Sequence, residues 1–126
     1  MAASITKTEV KHLPIKKITW AWTAHTDEKV ATATANAATD GDYTGEIVRL
    51  VTVPAGGADA PSADYDVYVY DEDNTDVLMG GGLNRHTSNT EQVAASSLGV
   101  VVASKLTLYI ENAGVSKKGT VHLYIR

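Results

Sequence analysis

Polar and apolar residues alternate with period two along most of this chain. In Lys17–Thr23, Ile18, Trp20 and Trp22 share one face while Lys17, Thr19, Ala21 and Thr23 share the other, the pattern of a half-buried strand. Near the end, Leu106, Leu108 and Ile110 alternate with Thr107, Tyr109 and Glu111. Val121, Leu123 and Ile125 then alternate with His122, Tyr124 and Arg126. With the turn formers of residues 112–119 between them, these two runs predict a β-hairpin. Lys29–Asn36 alternates small apolar with polar residues; its alanines suit a helix, but the threonine spacing favours a strand. Glu46–Val53 is apolar on both faces apart from Arg49, which predicts a strand covered on both sides, by a second sheet and by a neighbour.

The middle of the chain is punctuated by turn chemistry. Residues 54–63 are rich in Pro, Gly and Ala and deliver the chain to a strand at Tyr65–Tyr70. An acidic turn, Asp71–Asp76, leads to a short return, Asp76–Met79, and to Gly80, Gly81 and Gly82. Residues 83–99 are the least regular; Thr90–Ala95 suits either one helical turn with a polar start or an extended path. About seven to nine short strands separated by turns predict an all-β fold, an antiparallel β-sandwich of jelly-roll or immunoglobulin-like type, over residues 17–126 as a single domain. Residues 1–16 read as an extended N-terminal arm. Its Ile5, Val10, Leu13 and Ile15, set between polar residues, suit a strand added to a neighbouring subunit.

Composition sharpens this picture. At 126 residues the chain fits one core, burying roughly two thirds of the surface it would expose unfolded. Its 44% hydrophobic content comes without Phe or Cys, from Val, Ala, Leu, Ile and Tyr with abundant Thr, which favours strands. The lack of cysteine excludes disulfides and thiolate metal sites. No apolar run reaches signal-peptide or membrane-spanning length, so a soluble protein made in a cytoplasm, without a membrane partner, is expected. A net charge of -4 with no basic cluster argues against nucleic acid as a partner.

Several motifs invite chemistry. Val67–Tyr70 followed by Asp71-Glu-Asp73-Asn-Thr75 matches the strand-then-DxDxT signature of haloacid-dehalogenase-type phosphatases. That reaction needs a parallel sheet with crossover helices, and this sequence offers none. A self-bonded hairpin turn is the simpler reading. Calcium is a weaker alternative: Asp64, Asp66, Asp71, Asp73 and Asp76 are near in sequence, but the EF-hand spacing is absent and period two sends Asp64 and Asp66 to the far end of their strand, which leaves Asp71, Asp73 and Asp76. His12, His25, His86 and His122 are scattered, with no zinc spacing. No G-x-S-x-G elbow occurs, and the triple glycine lacks the Lys-Ser/Thr of a phosphate loop. Neither a catalytic residue nor a cofactor is indicated. Trp20 and Trp22, with the outward-facing Tyr109 and Tyr124, would suit a sugar-binding platform, but for the tryptophans a core-anchoring role is the simpler reading. Tyr68 and Tyr70 oppose Val67 and Val69, so their strand carries bulky groups on both sides and predicts a second contact surface.

Taken together, Gly45–Val53, Ala63–Val67, Asp76-Val-Leu with Gly80–Arg85 and Thr90–Gln92, Leu106–Leu108 with Asn112–Gly114, and Gly119–Arg126 resemble small virion structural proteins of tailed bacteriophages, over about residues 43–126. The resemblance implies a non-enzymatic β-sandwich of the virion, most simply a capsid decoration or stabilisation protein. It would be present in many copies as a homo-oligomer and bound to the major capsid protein or other virion proteins. A place in the tail or head-tail connector and a carbohydrate-binding sandwich for adhesion are the alternatives. Candidate contact residues are Tyr68, Tyr70, Arg85, His86, Tyr109 and Tyr124.

Overall fold

The computed structural model describes residues 4–12, 14–24, 33–34 and 43–126. Among them are nine strands: β1 (Ser4–His12), β2 (Ile15–Thr23), β3 (Ala33–Thr34), β4 (Tyr43–Pro54), β5 (Asp66–Tyr70), β6 (Glu91–Ala94), β7 (Val101–Ser104), β8 (Thr107–Glu111) and β9 (Lys118–Ile125). The larger sheet runs β1-β2-β9-β4-β6, with β7 also pairing β4; the smaller runs β3-β8-β5. Every pairing between these strands is antiparallel. The fold is therefore the expected all-β, sandwich-like one.

Period two chooses what each layer buries. From the larger sheet Ile18, Trp20, Trp22, Leu50, Val121, Leu123 and Ile125 enter the core; from the smaller come Val67, Val69, Leu108 and Ile110. Trp22 and Tyr65 meet between the layers with ring centroids 5.6 Å apart. Burial of large apolar side chains at about 1.5–3 kcal/mol each is the main force holding the sheets together.

The predicted hairpin of residues 106–125 is not one. β8 pairs with β3 and β5, whereas β9 pairs with β2 and β4, so residues 112–117 carry the chain from one sheet to the other. Asn112, Gly114 and Ser116 adopt positive φ there, while Ser62 N–H donates to the Ala113 carbonyl at 2.8 Å. An arch between layers and a hairpin within one layer bury residues of the same parity, so alternation alone does not separate them.

The two-faced run in β4 also has a local cause. Its register against β9 slips between Ile47 and Arg49, and such a bulge moves the following residues to the opposite face. Ile47 and Leu50 thus both reach the core, while Arg49 points out. On its outer face Arg49 is exposed, Val53 half-buried and Val51 buried.

Within the stretch expected as an arm, residues 4–12 form β1, paired along its length with β2 from Ser4 opposite Thr23 to His12 opposite Ile15. Its apolar residues do not share a face: Ile5 lies with Lys7 and Glu9 on the inner side, and Val10 lies outside. Leu13 is outside the described residues, as is most of the predicted strand Lys29–Asn36, of which Ala33–Thr34 is β3. Glu9 Oε2 accepts hydrogen bonds from the Tyr43 hydroxyl at 2.7 Å and from Lys7 Nζ at 3.3 Å. Inward-pointing charge on an edge strand discourages unspecific sheet growth. Residues 91–94 take the extended alternative, as β6.

Candidate functional site

The outer face of the smaller sheet gathers three of the expected contact residues. β5 and β8 pair with Asp66 opposite Glu111, Tyr68 opposite Tyr109, and Tyr70 opposite Thr107. Because Val67, Val69, Leu108 and Ile110 are drawn into the core, the alternate positions are turned outward. The rings of Tyr68 and Tyr70 stack, with centroids 5.6 Å apart and planes 9° from parallel. Tyr109 is tilted against both, at 6.1 and 6.2 Å. With Asn74 and Glu111 these rings line a shallow depression. The Tyr68 hydroxyl titrates above its usual range through local burial, reinforced by Asp66 and Glu111. Tyr70 is raised in the same way, with Asp76 and Glu111 adding to burial. The face is aromatic and acid-flanked.

The acidic turn beside it is built by its own carboxylates. Asp71 Oδ1 accepts the N–H groups of Asp73 and Thr75 at 3.0 and 2.9 Å, and Oδ2 accepts the Thr75 hydroxyl at 2.6 Å. The Thr75 contacts hold Asp71 below the usual carboxylate range. Asn74 supplies the positive φ, at 59°. Asp76 bridges Tyr70, and Val77 N–H reaches the Val69 carbonyl at 2.8 Å, after which the chain turns away. The expected return strand is thus a single bridge. Asp76 Oδ1 accepts from Val69 N–H at 3.2 Å and Leu78 N–H at 3.1 Å, and Oδ2 from Gly80 N–H at 3.0 Å. Asp76→Ala strips three donors of their acceptor and is expected to cost about 2 kcal/mol in chemical denaturation, with Asp76→Asn intermediate. Equal stability of all three proteins would contradict this role.

Asp71, Asp73 and Asp76 are not brought together around a common point. Among the described residues no group of three or more His, Asp or Glu side chains is placed to hold a metal ion.

The remaining candidates lie elsewhere. Arg85 pairs its backbone with Tyr65, its N–H donating to the Tyr65 carbonyl at 2.7 Å. Its guanidinium Nε and Nη2 donate to the Leu83 carbonyl at 3.2 and 3.1 Å. His86 Nδ1 accepts the N–H groups of Ser88 and Asn89 at 3.0 and 2.9 Å. Both residues thus shape the loop that leads to β6. Tyr124 is on the outer face of the other sheet, with Arg49 Cζ 5.1 Å and Lys17 Nζ 5.7 Å from its ring centroid, in cation–π contact. Trp20 and Trp22 are almost wholly enclosed, which leaves no indole face for a sugar.

Beside Tyr124, Thr19 Oγ1 and His122 Nδ1 are 2.8 Å apart. Burial, then Lys17 and Arg49, lower the His122 pKa below its usual value. The unfolded chain therefore takes up this proton first, at about pH 6.5, and stability falls as the pH drops from there through the folded-state pKa. His122→Gln is expected to flatten that slope in thermal melts between about pH 7 and 5; an unchanged slope would assign it to other groups.

Asp66, Asn74 and Glu111 are the members of this face that the sequence did not single out as contact residues. Asp66 shares the parity of Tyr68 and Tyr70, and Glu111 that of Tyr109, but their alignment depends on the β5–β8 register. No protein-family model, curated protein sequence or solved structure matches the chain.

Proposed function

We propose that this chain is a non-enzymatic structural protein of a tailed-bacteriophage virion, a capsid decoration or stabilisation protein that binds the major capsid protein in many copies. The observation that carries the reading is the contiguous outward face of Tyr68, Tyr70 and Tyr109. Tyrosine clusters of this kind are favoured at protein contacts, where a large rigid ring gives up little conformational entropy. The resemblance of residues 43–126 to virion proteins supports the setting, and repetition around a symmetric shell makes a modest contact sufficient.

The test is sedimentation of the purified chain with empty capsids. Tyr68→Ala with Tyr109→Ala is expected to weaken binding about 30-fold, the effect of losing about 2 kcal/mol at a contact hot spot, with little change in unfolding midpoint. Unaltered binding by this double variant would sink the reading. Copy number per particle by mass spectrometry separates head from tail or connector: hundreds of copies mean the head. The carbohydrate-binding reading draws on Asn74 and Glu111 beside the rings, polar groups suited to sugar hydroxyls. Binding to a glycan array without capsid binding would select it.

A further inference from the structure

We infer that the chain associates with copies of itself head to tail, the acidic turn of residues 71–76 on one copy docking against Lys17 and Arg49 on the next. The warrant is charge complementarity between two surfaces of the same molecule. This goes beyond the capsid-binding reading and is independent of it, because the contact joins neighbouring copies whatever else they bind.

The basic half is one rung of the larger sheet. Val10, Lys17, Tyr124, Arg49 and Ala94 lie opposite one another across β1, β2, β9, β4 and β6, so two cations converge on a single tyrosine ring. The next two rungs, through His122 and through Thr120, hold no carboxylate. On the other side Glu46 stands opposite Arg126. Neither Lys17 nor Arg49 has a carboxylate partner among the described residues. Burial first, and then Lys17 and Arg49, hold His122 below its usual pKa, so their positive field reaches the adjoining rung. Arg49 is nevertheless fixed, its Nε donating to Gln92 Oε1 at 3.0 Å, which leaves its two Nη groups to donate to an incoming carboxylate.

The acidic half is the turn after β5. The carboxylates of Asp71 and Asp76 are occupied by the turn's own N–H groups and the Thr75 hydroxyl. Glu72 and Asp73 differ. Both are exposed, and among the described residues their carboxylates enter no hydrogen bond or ion pair. Two adjacent negative charges are thus presented on a backbone already held in shape, so docking orders little. The turn follows a strand of the smaller sheet and the basic rung belongs to the larger. A contact between two different surfaces repeats from copy to copy, giving a ring where the rotation closes and an open chain where it does not.

The experiment is sedimentation of the intact chain over a concentration series. Self-association is expected by about 1 mM, weakening at least about tenfold between about 0.05 and 0.5 M salt. Backbone amides over the same series should shift at residues 71–76 and around Lys17, Arg49 and His122. Two neutralised proteins, Lys17→Gln with Arg49→Gln and Glu72→Gln with Asp73→Asn, should each lose at least about tenfold in association, their amide spectra showing that both are folded. Mixing the two restores one contact, the turn of the first on the rung of the second, so pairs should form and nothing larger. A chain that stays monomeric to about 1 mM, association indifferent to salt, or loss in only one neutralised protein would overturn the inference. So would shifts confined to other surfaces, or a mixture no more associated than its components.

Discussion

Trp20→Ala is expected to lower folding stability by about 4 kcal/mol, within the range for emptying a large aromatic site in a core. Trp20 is fully buried on β2, with Val121 of β9 and Lys7 of β1 as its cross-strand neighbours. Against a total of about 5–15 kcal/mol for a typical domain, one such cavity removes a large share. Urea unfolding checks this, through a lower midpoint at unchanged slope. Trp20→Phe is a useful companion. The indole Nε1 is buried without a hydrogen-bond partner, so phenylalanine removes an unsatisfied donor along with some apolar area, and a loss of only about 1 kcal/mol is expected. A midpoint for Trp20→Ala matching that of the parent would mean that β2 does not anchor the core.

Gly82→Ala is the second large effect, expected at about 3 kcal/mol. A Cβ at this position would collide with the Val67 carbonyl oxygen and come within 3.0 Å of Leu78 Cδ1. The close approach exists because residues 76–85 cover the edge of β5. Gly82 accepts from Val67 N–H at 2.8 Å, while the Tyr65 and Val69 carbonyls accept from Arg85 and Val77. Pushing Gly82 away opens that edge and removes support from the strand carrying Tyr68 and Tyr70. Gly56→Ala serves as the contrast. Nothing lies within 4 Å of a Cβ there, so its effect should stay within about 0.5 kcal/mol. Thermal melts of the two variants side by side decide the matter; equal melting points would refute the packing argument.

What the chain announces about itself is mostly which face of a strand is buried. Ile18, Trp20 and Trp22, or Val67 and Val69, reveal this locally, because neighbouring positions on a strand point to opposite sides. Pairing is not a local property. Tyr109 and Tyr124 carry the same alternating signature in sequence, yet they decorate opposite outer faces, since residues 112–117 cross between sheets. The bulge between Ile47 and Arg49 escaped for a related reason: a run with apolar residues at both parities is equally consistent with two covered faces or with one face and a slip. At the candidate site, Tyr68 and Tyr70 were legible as a surplus of bulk on the second face of their strand. The Asp66–Glu111 rung was not, because it exists only through register. For Arg85 and His86, the bonds that shape their loop, to the Leu83 carbonyl and from the Ser88 and Asn89 N–H groups, depend on the path of the chain and could not be read in the sequence.

The placement of the aromatic residues gives the protein two independent spectroscopic signals. Both tryptophans sit on β2 inside the sandwich, whereas Tyr68, Tyr70 and Tyr109 lie outside on the other layer. Tryptophan emission therefore follows whether the layers are closed, and tyrosine ring resonances follow what happens on the exposed face. A variant that loses its partner can be told from one that loses its structure in a single unlabelled sample.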